Sequence, residues 1–287
     1  MTRNECLNNT AVTSFLAWFR ELILAGEHSF VQAYQPAKGG PYFEIDRFVD
    51  AYEKYYFSGM DIEETQNVTD ELAENLQAAL RAEDETGALT ASLRILGWGG
   101  VTNTATVAWL LDAHERSNLV EMLNSAANSL TGENDFIIEQ FNQQQPFRSD
   151  SATTKIFAMK DTGSAIYDDR VASAIGWLVV NHSGSEGWTS VPESLRFCVK
   201  TGANYNPSQG RLKLPVRNSG RGTDHALSNL RFNWILEWLS NDDQIAASFG
   251  LRVGPPVVRA IEAALFMIGK SIGTIAVPRP YPDSVAA

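Results

Sequence analysis

Apolar residues recur at three- and four-residue intervals along nearly the whole chain, while alternation of apolar and polar residues is scarce. Such spacing lines side chains along one face of a helix of about 3.6 residues per turn, which restricts the chain to helices packed through apolar stripes. Phe15, Leu16, Phe19, Leu22 and Ile23 mark a first helix, Ile45, Phe48, Val49, Tyr52 and Tyr56 a second, and Leu72, Leu76 and Leu80 a third. Further helices are expected over 104–114, 118–130, 135–145, 153–159, 169–180, 226–239 and 256–269. The expected class is mainly α, in two lobes: an acidic helical lobe over 1–130 and a second helical lobe over 131–287.

Several classes fall away. The opening MTRNECLNNT has no basic start followed by an apolar core, and nowhere do about 18 uncharged apolar residues follow one another. Neither a secretion signal nor a membrane span is expected, and the cytoplasm is the expected location. The late apolar stretch PVVRAIEAALFMIGK carries Arg259 and Glu262 and reads as an amphipathic core helix. Cys6 and Cys198 lie far apart, and histidines 28, 114, 182 and 225 have no partner at helical i, i+4 spacing, so neither a disulfide framework nor a metal centre is expected. The GxGxxG fingerprint is absent, and no cofactor is expected.

A net charge of −11 argues against a polyanionic partner, yet the charge is unevenly spread. Residues 44–86 hold thirteen carboxylates against three bases, a local −10, and residues 196–231 hold seven bases against Asp224 alone, a local +6. One region can hold phosphates while another repels them. The basic stretch RFCVKTGANYNPSQGRLKLPVRNSGRGTDHALSN is long and rich in Gly, Asn, Pro and Ser, and such loops are usually functional or disordered. It sets Tyr205 among Arg217, Arg221 and other bases, a mixture suited to backbone phosphates and unstacked bases, although solvated loop charges need no partner. A glycine-rich turn, LGWGGVTNT at 96–104, exposes Trp98; Trp177 and Trp188 are further aromatic candidates for a base pocket.

The chemistry-bearing stretch is TTKIFAMKDTGSAIYDDRV, residues 153–171. Val171, Ala174, Ile175 and Leu178 define a helix whose start falls at Asp168 and Asp169. A carboxylate there can simply cap free backbone N–H groups, worth about 1 kcal/mol. Alternatively, a carboxylate held rigid by its cap can face a cationic transition state, with Lys155 beside it. Arg170 can bind a phosphate or pair with Asp169.

These residues resemble the helix-hairpin-helix DNA glycosylases, in which a lysine-bearing helix start is followed by a VDTHV element whose aspartate caps the next helix. TTKIFAM resembles the first, and IYDDRV the second, placing Lys155 at the family's lysine and Asp168 at its catalytic aspartate. The stretch is similar to a bacterial branch with an 8-oxoguanine DNA glycosylase-like fold, carrying TKILAF-like and IYDxRV elements, a group that includes phage-defence glycosylases of the Brig type. About 25 residues carry the likeness, with a weaker one in ALSNLRFNWILEWL. SDSATTK stands where the family has LPGVGxK, and 13 residues separate Lys155 from Asp168, fewer than the larger family uses. The resemblance implies a two-lobed helical fold and DNA carrying a modified base as partner; it implies no protein partner, and the chain has no cysteine cluster for an iron–sulfur centre. It implies excision of that base, for instance a glucosylated cytosine of phage DNA, by water or by the Lys155 amine. A non-catalytic α-helical DNA-binding or protein-interaction module is the alternative.

Overall fold

The computed structural model describes residues 1–36, 40–102, 104–144, 146–200, 202, 205–216 and 222–276. Among them the regular structure is twelve α-helices, three short 3-10 segments and one two-stranded sheet, so the mainly α expectation holds. No described helix is long and apolar enough to cross a membrane.

The chain opens with α1 (Arg3–Leu7) and α2 (Thr10–Leu24), the latter burying Phe15, Leu16, Phe19, Leu22 and Ile23 as its periodicity requires. The second helix expected from Ile45 onward is instead mostly strand and turn. Strand β1 (Gln32–Tyr34) pairs antiparallel with β2 (Phe43–Ile45), matching Gln32 to Ile45 and Tyr34 to Phe43. Asp50 then takes the backbone N–H groups of Asp46 and Arg47 and pairs with the Arg47 guanidinium. Those bonds tie the chain into a turn before the four-residue α3 (Asp50–Glu53), so the apolar spacing over 45–56 belongs to three local structures.

Helix α4 (Ile62–Arg81) starts at a reciprocal cap between Asp61 and Glu64. After a break at Glu83, Asp84 caps α5 (Glu85–Trp98), which packs back along α4. The irregular turn expected from residue 96 thus begins only at Gly99. Helices α6 (Thr104–Glu115) and α7 (Leu119–Leu130) follow closely the expected bounds, whereas 135–145 forms a 3-10 helix over Phe136–Gln144. Helices α8 (Thr153–Lys160) and α9 (Asp169–Ser185) come next; α10 (Gly222–Ser240), α11 (Asp243–Ser248) and α12 (Pro255–Ile268) complete the set.

Three packings position the site. Helix α8 lies against α4, α5 and α7, while α12 lies against α9, α3 and α10. At the end of α12, Gly269 meets the start of α9 so closely that an added Cβ would stand 1.9 Å from the Arg170 carbonyl oxygen. Only glycine permits that approach of backbone to backbone. Helix α9 is buried nearly all round, with Trp177 edge-on to Phe30 at 5.8 Å. Trp177 is therefore core, and Trp188 packs edge-on to the buried His182; neither lines the cavity described next.

Candidate active site

The turn that launches α8 has no glycine hairpin. Asp150 Oδ1 accepts from the Ala152 and Thr153 N–H groups at 2.9 and 3.0 Å, and Thr153 Oγ1 accepts from Asp150 N at 2.9 Å. This reciprocal pair supplies with side chains the tight turn that glycines give elsewhere. Asp150 also accepts from Arg148 Nε at 2.7 Å. Burial works against its charge, but the Thr153 N–H and the Arg148 and His225 charges outweigh it and hold the carboxyl below its ordinary value.

One turn into α8 stands Lys155, only 7% exposed rather than a surface lysine. Its stem runs over Gly99, where a Cβ would sit 2.5 Å from Lys155 Cδ. Its ammonium donates to the Ser151 carbonyl at 2.8 Å and lies 3.7 Å from Asp168 Oδ2. Asp168 is the N-cap of α9: Oδ1 accepts from Arg170 N at 2.9 Å and Val171 N at 3.1 Å. One carboxylate oxygen thus serves the fold and the other faces the lysine.

What brings α8 and the start of α9 together is a clamp from α12. Arg259 donates through Nη2 to the Ala158 carbonyl of α8 at 2.6 Å and through Nη1 to Glu262 Oε2 at 2.7 Å. The same Glu262 oxygen accepts from Ile166 N, two residues before Asp168, at 2.9 Å. Asn233 holds Ala165 N at 2.9 Å, and the buried Tyr167 donates to the Cys198 carbonyl at 2.9 Å.

Lys155 and Asp168 open onto a cavity of about 930 Å³, which Trp98, Arg170 and Tyr205 also line. Lys155, Asp168, Trp98, Arg170 and Tyr205 therefore converge, Trp177 and Trp188 do not, and Arg217 and Arg221 lie outside the described residues. One wall is aromatic: Trp98 is edge-on to Phe57 at 5.5 Å, and Phe57 and Tyr55 both touch Phe266 at 5.6 Å. Arg170 does not pair with Asp169, which is held by Lys200 at 3.1 Å and Ser151 at 3.0 Å. Its guanidinium lies 4.5 Å over the Phe266 ring, a cation–π contact. Among the described cations lining the cavity, Arg148, Lys155, Lys200 and Arg259 each have a carboxylate within 4.0 Å, and Arg170 has none.

Sequence reasoning missed Tyr55, Phe57, Phe266, Arg259 and Glu262. The last two offered a signal: charges at i, i+3 inside an otherwise apolar helix are expensive to bury unless paired and used. The basic stretch is also less available than its count suggests. Arg231 is buried, bonding the Glu193 carbonyl and Asp135, while Arg196 pairs with Glu193 and Lys200 with Asp169. Among the described residues no cluster of His, Cys, Asp and Glu is arranged to hold a metal.

A cavity of this size with an aromatic wall and a few fixed polar groups suits a small flat ligand or an extruded nucleotide. Comparison with known proteins adds no relative: no family model, curated protein or solved structure matches the chain.

Proposed function

We propose that the cavity receives a base swung out of a DNA duplex and that Asp168, with Lys155 beside it, cleaves the N-glycosidic bond. The observation that carries this reading is the divided role of Asp168. Its Oδ1 is fixed by two backbone N–H groups, and its Oδ2 is held toward Lys155 in the cavity wall. Cleavage builds positive charge on the sugar, and a preorganised carboxylate in a water-poor site is commonly worth several kcal/mol to such a transition state. Tyr55, Phe57, Trp98 and Phe266 offer faces and edges for an unstacked base, whose extrusion costs a few kcal/mol. Arg170, with no carboxylate partner among the described residues, is the group for the flanking phosphate. The volume leaves room for an enlarged base, such as the glucosylated cytosine of phage DNA, in keeping with a role in defence.

The test is release of free base. The protein is incubated with phage DNA containing glucosylated 5-hydroxymethylcytosine and with duplexes containing oxidised purines; release from one is expected, and release from neither sinks the reading. A second reading, a non-catalytic helical module that binds DNA or protein, draws on the cap itself, since both hydrogen bonds to Oδ1 are those of an ordinary helix start.

A further inference from the structure

Asp168 is not alone in giving one oxygen to the fold and keeping one for the cavity. Glu262 Oε2 is taken by Ile166 N and Arg259 Nη1, at 2.9 and 2.7 Å. No described group bonds its Oε1, and the side chain, 12% exposed, lines the same cavity as Asp168. The two carboxylates come from different helices, Asp168 from the start of α9 and Glu262 from the middle of α12. Tyr55, which lines the cavity beside them, lies near enough for a charge on either to act on it.

We propose that Glu262 is the proton donor of the site, protonating the departing base while Asp168 accepts the proton of the attacking water. The inference rests on the glycosidic reading above. In the step, the bond from C1′ to the base nitrogen breaks with its electron pair going to the base, and the Oε1 proton of Glu262 joins the base. A water oxygen bonds to C1′, and the proton it sheds goes to Asp168 Oδ2. One water is consumed, a neutral base and an abasic sugar are formed, and exchange with solvent returns each carboxyl to its starting state.

The surroundings of Glu262 suit a donor. Burial pushes its carboxyl above the ordinary value and the nearby Asp168 charge adds to this, while Arg259 on its own helix and the Ile166 N–H oppose it. The third group facing it, the Tyr55 phenol, is itself pushed up by burial and by both carboxylates, and so remains uncharged. Two carboxyls in one cavity with environments that differ in this way are a basis for assigning acid and base. The assignment also defines the substrate class. An uncharged base is a poor leaving group until it is protonated, so a built-in donor belongs to an enzyme for uncharged bases.

The competing explanation is that Glu262 is only a strut between Arg259 and Ile166. Glu262→Gln keeps an oxygen for both contacts and removes the transferable proton. Single-turnover base release is measured for parent and variant from about pH 5 to about pH 9 on glucosylated phage DNA and oxidised-purine duplexes, alongside thermal unfolding. The expected result is a folded variant slower by about 10²- to 10⁴-fold, without the parent's fall in rate on the alkaline side. Glu262→Asp should restore part of the rate and the alkaline fall. A folded Gln variant that keeps the parent's rate, or keeps its alkaline limb, overturns the inference and leaves the glycosylase reading standing. If Glu262→Gln does not fold, Glu262→Asp decides: a slower rate with the limb retained supports the donor, and a flat profile refutes it. A parent that releases no base from either DNA removes the underlying reading, and the donor with it.

Discussion

The Lys155 ammonium stands 3.7 Å from Asp168 Oδ2, outside hydrogen-bond reach, while its hydrogen bond goes to the Ser151 carbonyl at 2.8 Å. The pair is held by charge, and the two side chains are placed independently, one by α8 and the other by the cap of α9. Asp168→Asn keeps an Oδ1 for the cap, since asparagine caps as well as aspartate, but strips the charge that faces Lys155. Base release is expected to fall by about 10²-fold or more. Unfolding free energy should fall by about 1–3 kcal/mol, because a buried ammonium loses its counter-ion and keeps only the Ser151 carbonyl. Measuring both on one variant separates catalyst from cap: unchanged base release would reduce Asp168 to a helix start.

Lys155 is expected to position and stabilise rather than attack. Its donation to Ser151 engages one N–H hydrogen and Asp168 stands opposite its charge, whereas an attacking amine must give up a proton to free its lone pair. Borohydride added during turnover should therefore trap no protein on DNA, and abasic sites should accumulate instead. A covalent adduct that disappears in Lys155→Gln would make the lysine the nucleophile.

Two glycines constrain the pair differently. At Gly99 an added Cβ meets the flexible end of Lys155, 2.5 Å from Cδ and 2.8 Å from Cε. At Gly269 it meets backbone, 1.9 Å from the Arg170 carbonyl oxygen. Gly99→Ala should leave the unfolding temperature nearly unchanged and displace the amine, slowing base release. Gly269→Ala should instead cost about 1–3 kcal/mol of stability, as overpacking does, by prying α12 from the start of α9. If calorimetry and base-release assays show the reverse pattern, the stem of Lys155 does not depend on the Gly99 gap.

The elements that sequence made legible are those whose signal is local. The helix start at Asp168, the lysine-bearing turn before it and the long apolar faces of α2 and α4 each lie within a window of one helix. Helix α5 escaped because its buried face is largely small, Ala88, Ala91 and Ser92, with only Ile95 and Leu96 to mark it. The run from Ile45 to Tyr56 misled because strand β2, a turn tied by Asp50 and α3 follow one another at intervals that mimic a helix. The clamp from Arg259 and Glu262 joins residues about a hundred positions apart, with an |i−j| of 101 to Ala158 and 96 to Ile166, so no local pattern announces it. Arg231 shows the same limit in charge: its count in a basic stretch said nothing of Asp135 and the Glu193 carbonyl, which hold it inside the fold.

On the proposed glycosylase reading, that internal use of charge sets the salt dependence to expect of DNA binding. Each phosphate neutralised on duplex DNA contributes about −0.9 to the slope of log affinity against log salt. Arg170, with no described carboxylate partner, should account for about one such unit, so Arg170→Ala flattens the slope by that amount. Arg231→Ala should destabilise the protein and leave the slope alone, because its guanidinium is spent on Asp135 and Glu193. Equal slopes for parent and Arg170→Ala, measured by fluorescence anisotropy, would remove Arg170 from the phosphate contact.

Beside Phe266 a half-buried lysine ties stability to pH. Lys270 donates to the Tyr56 carbonyl at 2.8 Å and lies 5.5 Å from the Phe266 ring that Arg170 also covers. Burial, with the like charge of Arg170, lowers its pKa from 10.5 to about 8. Below the lowered value the amine is charged in both folded and unfolded chains, and the folded state carries the cost of burying it. Between the two values the unfolded chain binds more protons than the folded one, so this group's contribution to stability rises with pH across that window and levels off above 10.5. Lys270→Met removes the titration. Thermal unfolding of parent and variant from about pH 7 to about pH 11 should show the difference between the curves moving in the parent's favour from about pH 8 upward. Parallel curves would mean that Lys270 is as well solvated folded as unfolded, and that Phe266 does not share its ring between two cations in solution.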